Sequence, residues 1–299
     1  MEINHFVNIA TAINNNTMNK LISFFLVTFL ALNAWAGKIV TDSIHSNVLD
    51  STMTYNVYLP TGYELSSQKY PIVYLLHGLY GTYKDWALKA NVKEVADELI
   101  ETQEAVPMVI IMPNAGNPDV RNQWNGYFNM PGWNYETFFF TELLPTVEKK
   151  YRAIGDKAHR AVMGLSMGGG GSTVYCQRHP ELFSSCYAMS AWLDNKEPEV
   201  APHGKDKLYY VSKSVRYHSA IDFITNANET TKQQLRSVRW FFDCGDDDYL
   251  VELSFKIHQL YAKAGIKSEL RIRNGVHNWE YWHGCLRTAL PFASIDFRR

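Results

Sequence analysis

HRAVMGLSMGGGGS, His159–Ser172, carries an apolar run into a single serine and places four consecutive glycines one residue beyond it. Inside it, Gly164-Leu165-Ser166-Met167-Gly168 has the spacing GxSxG. That spacing is weak evidence alone, because a glycine-rich surface loop also produces it. Its context here is stronger: a strand-like run (RAVM) precedes it and a helix-like stretch follows. This is the setting in which a serine sits on a tight strand-turn-helix elbow with its hydroxyl exposed. In such an elbow the positions two before and two after the serine press on neighbouring elements, so glycine is favoured there. Gly169, Gly170 and Gly171 then fall in the first helical turn and let the helix lie close to a sheet.

The flanking sequence supplies that sheet. PIVYLLHG, VPMVIIMPN, SSCYAMSA and VRWFFDCG are short, nearly continuous apolar runs, the composition of strands buried on both faces. Between them lie helical patterns: NVKEVADELIE, ETFFFTELLPTVEKKY, the stretch after Ser166, and YLVELSFKIHQLYAKAG. Strand and helix alternating in this way predict a doubly wound α/β fold, a mostly parallel sheet with helices on both faces. KIVTDSIHS and TMTYNVYLP, which alternate apolar and polar residues, read as an antiparallel edge. The polar stretch 193–235 is either a lid between strands or a long surface excursion.

Ligands of such sheets bind at the C-terminal ends of the strands, where His77-Gly78-Leu79, Asn114, Ser166, Trp192 and Asp243–Asp248 fall. A serine hydroxyl needs a base to take its proton and an acid to orient that base. Of ten histidines, His277 follows the last strand run, SELRIRNG, in the order nucleophile, acid, histidine. His283 lies in an apparent helix, His258 inside a helical pattern and His77 at the end of a buried strand, all three read as packing residues. The acid is sought among Asp243, Asp246, Asp247 and Asp248, with Asp194 an outside candidate. A crowd of aspartates also serves a helix N-terminus or a loose calcium site. Acyl transfer further requires backbone N–H donors for the developing oxyanion. Met167 supplies one, and the loop at Leu79 the other.

At the N-terminus, LISFFLVTFLAL follows Met18-Asn19-Lys20 and precedes Ala34-Trp35-Ala36. This predicts a signal peptide over 1–36, with Met18 as an alternative start and export to the periplasm or medium. A run of roughly 12 residues is short for a membrane span, which takes roughly 20, so no membrane anchor is expected after cleavage. The catalytic domain is then 37–299. Hydrophobic residues make up 46% of the chain and its net charge is −1, which argues against a nucleic-acid or anionic-surface partner. Cys176, Cys186, Cys244 and Cys285 allow three complete pairings or free thiols, and their spacing matches no zinc motif. Neither metal nor cofactor is expected, and the oligomeric state is left open.

LLHG (75–78), GLSMGG (164–169), CGDDDYL (244–250) and GVHNWEYW (275–282) together resemble the esterase family of α/β hydrolases that includes feruloyl and acetylxylan esterases, S-formylglutathione hydrolases and mycolyltransferases. The resemblance spans the chain from about Lys38. It implies the α/β-hydrolase fold, with Ser166, Asp248 and His277 as catalytic residues and the Leu79 and Met167 amides as oxyanion donors. It further implies a secreted serine esterase of the feruloyl or acetyl type, acting on acylated plant polysaccharide fragments. Tyr80, Trp124, Tyr127, Trp192 and Trp279 are candidates to stack on a phenolic acyl group or a sugar. The alternatives are acyl transfer to a sugar or lipid hydroxyl through the same residues, and a non-catalytic binding protein on this scaffold.

Overall fold

The structure, a computed structural model, describes residues 36–200 and 204–298. The predicted signal segment, but for Ala36, lies outside the described residues.

Eight strands form one sheet: β1 (Lys38–Ser46), β2 (Ser51–Leu59), β3 (Ile72–Leu76), β4 (Val109–Pro113), β7 (Arg160–Leu165), β8 (Ser185–Met189), β9 (Arg239–Gly245) and β10 (Ser268–Arg273). A two-residue hairpin, β5 (Asn129–Met130) with β6 (Trp133–Asn134), stands apart. The sheet order is β1-β2-β4-β3-β7-β8-β9-β10. The alternating stretches at the start are an antiparallel edge, with Lys38 opposite Leu59, and β2 runs antiparallel to β4. From β4 to β10 every pair is parallel.

The continuous apolar runs follow from burial on two faces, since successive side chains of a strand point to opposite sides. Ile72, Tyr74 and Leu76 of β3 feed one core, and Val73 and Leu75 feed the other. The second core is closed by α1 (Asp85–Ala90), α2 (Val92–Glu101) and α10 (Trp279–Phe297). The first core is covered by α3 (Tyr135–Phe138), α4 (Leu144–Lys150), α5 (Met167–Arg178), α6 (Lys207–Tyr217), α7 (Ala220–Thr225), α8 (Glu229–Leu235) and α9 (Val251–Lys263).

Two stretches depart from the sequence expectation. The helix expected over Glu136–Tyr151 forms without a break from Tyr135 to Lys150 but widens into a π turn at Phe139–Leu143. Pro145, at the start of α4, has no N–H to continue the ladder. The stretch 193–235 is neither a simple lid nor a loose excursion. Its first residues, Asp194–Lys196, line a cavity, while α6, α7 and α8 pack into the sheet-facing core.

Chain order reverses at β3, which lies between β4 and β7. A crevice opens at the C-terminal end of such a switch strand. There the loop after β3 meets the turn after β7.

Candidate active site

Ser166 links β7 to α5 with φ +53° and ψ −118°, a backbone conformation that side-chain-bearing residues rarely adopt. The glycines around it clear contacts at the level of single atoms. A Cβ on Gly168 would stand 2.5 Å from the Leu76 carbonyl oxygen and 2.6 Å from that of His77. One on Gly164 would meet the Gly168 carbonyl at 2.5 Å, and one on Gly170 the Trp192 carbonyl at 2.2 Å. Gly168, Gly169 and Gly170 therefore let α5 sit against the end of β3 and the chain leaving β8, with the serine at the apex.

Two distant segments converge on that apex. His277, in the loop between β10 and α10, has its Nε2 3.0 Å from Ser166 Oγ. Its Nδ1 lies 2.8 Å from Asp248 Oδ2. The other oxygen of Asp248 accepts the Leu250 N–H at 2.9 Å. Burial opposes the charge of Asp248, but the bonds from His277, the Leu250 amide and Ser190 outweigh it and hold the carboxyl below its ordinary range. An ionised acceptor at Nδ1 puts the ring proton there and leaves Nε2 free to accept the serine proton.

The other aspartates have separate tasks. Asp246 accepts the Gly275 N–H at 3.0 Å and, with the Asp247 N–H donating to the Gly275 carbonyl at 3.1 Å, knits the acid loop to the histidine loop. Asp243 is fully buried among Tyr187, Tyr281 (2.6 Å) and Arg271, an ion-paired core residue. Asp194 faces Arg216 at 3.5 Å. His283 packs as expected, its Nδ1 2.7 Å from the Ala90 carbonyl, and His258 meets Ser268 Oγ at 2.8 Å. All four cysteines are free and buried.

Met167 is the first residue of α5, so its N–H has no acceptor within the helix. Leu79 lies in the loop after β3, beside Gly78, where an added Cβ would come within 3.4 Å of Ser166 Cβ. A cavity of about 1040 Å³ opens over Ser166, walled by Tyr80, Trp192 and Trp279. Tyr249 and Trp282, which sequence reasoning missed, complete the aromatic wall. They stand 4.6 and 4.8 Å from the His277 ring. Their signal was adjacency, since both fall within the quoted motifs that hold Asp248 and His277. Trp124 does not line this cavity. Its ring is taken up by Tyr210 at 5.7 Å and by Lys207, whose ammonium lies 3.9 Å from the ring centre. Tyr127 does not line the cavity either and is 1% exposed.

A mostly parallel eight-stranded sheet with a strained serine elbow on the strand beside its switch strand, an imidazole and a carboxylate in hydrogen-bond series, defines an α/β hydrolase of the serine-esterase class. The chain belongs to the family described as "Putative esterase", whose model matches residues 46–293. A solved structure of a ferulic acid esterase is 47% identical, with TM-score 0.83, covering 88% of this chain and 99% of that one. An endo-1,4-beta-xylanase/feruloyl esterase from Xylanibacter ruminicola is 26% identical over 84% of this chain, which spans only 30% of that protein's length. An S-formylglutathione hydrolase from Agrobacterium tumefaciens shares the fold at 18% identity and TM-score 0.70, covering 88% of this chain and 96% of that one.

Proposed function

We propose that this chain releases feruloyl or acetyl groups from fragments of plant polysaccharide, through an acyl-enzyme on Ser166, and does so after export. The observation that carries this is the unbroken hydrogen-bonded series Asp248–His277–Ser166 at the floor of an aromatic cavity. The planar walls of Trp192, Trp279 and Tyr249 suit a phenolic ring. The 47% identity with a ferulic acid esterase supports the same acyl class.

In the proposed reaction Ser166 Oγ bonds to the ester carbonyl carbon while its proton passes to His277 Nε2. The oxygen that gains the charge is held by the Leu79 and Met167 amides. Collapse of this adduct breaks the bond to the alcohol, which leaves with the proton from Nε2. Water then repeats the sequence and frees the acid. Asp248 keeps the imidazole in the required tautomer and stabilises it when protonated.

The test sets methyl ferulate, acetylated xylan and p-nitrophenyl acetate side by side with wild type and Ser166→Ala. Wild type should cleave methyl ferulate or acetylated xylan and Ser166→Ala none of the three. Full activity in that variant, or a wild type inert toward all three, would contradict the proposal. N-terminal sequencing of protein recovered outside the cytoplasm should begin at Gly37.

A further inference from the structure

His77 stands outside the Ser166–His277–Asp248 series, yet it is 1% exposed and both ring nitrogens are engaged. The Ala115 N–H donates to Nε2 at 3.0 Å, so the ring proton sits on Nδ1. Nδ1–H in turn donates to the Gly78 carbonyl at 2.8 Å. Burial pushes the imidazole pKa down to about 4, which keeps this neutral tautomer in place near neutral pH.

The same carbonyl accepts the Gly81 N–H at 3.0 Å and closes a turn. Tyr80, third in that turn, has φ +64°, as a type II turn demands. The Gly78 C=O and the Leu79 N–H are two ends of one planar trans peptide and point in opposite directions. Two donors holding the oxygen therefore fix where the Leu79 N–H points. The Tyr127 hydroxyl, donating to the His77 carbonyl at 3.1 Å, and Asn125 Nδ2, donating to the Gly81 carbonyl at 3.2 Å, brace the loop from behind.

We propose that His77 is a positioning residue of the oxyanion hole: its Nδ1–H sets the plane of the Gly78–Leu79 peptide and so aims the Leu79 amide at the oxygen that becomes negative. The proposal rests on the acyl-transfer chemistry inferred above. An aim that matters only once charge develops is felt in kcat and not in KM.

Two amide variants separate the nitrogens. His77→Gln offers an acceptor to the Ala115 N–H but loses the donor to Gly78, and His77→Asn does the reverse. With p-nitrophenyl acetate, His77→Gln should lose about 10- to 100-fold in kcat, a part of the ~10²–10³-fold that removing a whole oxyanion donor costs. Its KM should stay within about twofold. His77→Asn should recover most of kcat, and the affinity of a boronic acid that mimics the tetrahedral adduct should follow kcat across the set. A wild-type kcat in His77→Gln, or equal loss of kcat in both variants, would overturn the assignment. Failure of the hydrolase reading leaves a different mark: wild type itself would bind no boronic acid and cleave no ester.

Discussion

Asp248 and Asp243 lie five positions apart at the end of one strand, and only their surroundings tell them apart. Asp248 meets an imidazole, and Asp243 meets a guanidinium and two phenols. Asp248→Asn keeps the shape but removes the charge that selects the His277 tautomer, so kcat should fall by about 10²–10⁴-fold with the melting temperature little changed. Asp243→Asn should do the opposite. Removing one partner of a buried ion pair costs about 3–5 kcal/mol, so thermal denaturation should show a large drop in stability. Steady-state kinetics below the new transition should still give turnover. At this scale the residues alone pointed to a cluster of four acids, and only the resemblance of CGDDDYL to the esterase family singled out Asp248. The choice depends on the facing residues, His277 for Asp248 and Tyr187, Arg271 and Tyr281 for Asp243, which lie well away in the chain.

At the scale of elements, the β7–Ser166–α5 elbow depends on how closely a glycine-faced helix approaches two strands. Gly168→Ala would drive a methyl into the backbone carbonyls of Leu76 and His77, neither of which can swing away like a side chain. A loss of about 1–3 kcal/mol from overpacking is expected by denaturant titration. Esterase activity should fall as well, because the displaced β3 end carries the Leu79 loop. The parallel strands and the elbow were legible because burial on both faces forces apolar runs and close approach forces glycine. α6, α7 and α8 were not, being short and polar on their outer sides. Their sequence signal was in the caps: Asp206, Ser219 and Asn228 each accept a backbone N–H three residues ahead. The π turn at Phe139–Leu143 left no such mark beyond Pro145.

At the scale of the molecule, acid should act on stability through His77. Its pKa is about 4 when folded against an ordinary value of 6.5. Below pH 6.5 the unfolded chain takes a proton that the folded chain refuses. Stability present above that pH is therefore lost progressively as pH falls toward 4, by up to about 3 kcal/mol. Melting curves between pH 7 and 4 should show this decline, with a shallower slope in His77→Gln. The most direct test of the whole account is an acid-quenched reaction with p-nitrophenyl acetate followed by mass spectrometry of the tryptic peptides. An acetyl group is expected on Ser166 within the peptide 161–178, absent in Ser166→Ala and strongly reduced in His277→Ala. An acetyl group on another residue, with turnover unchanged in Ser166→Ala, would contradict it.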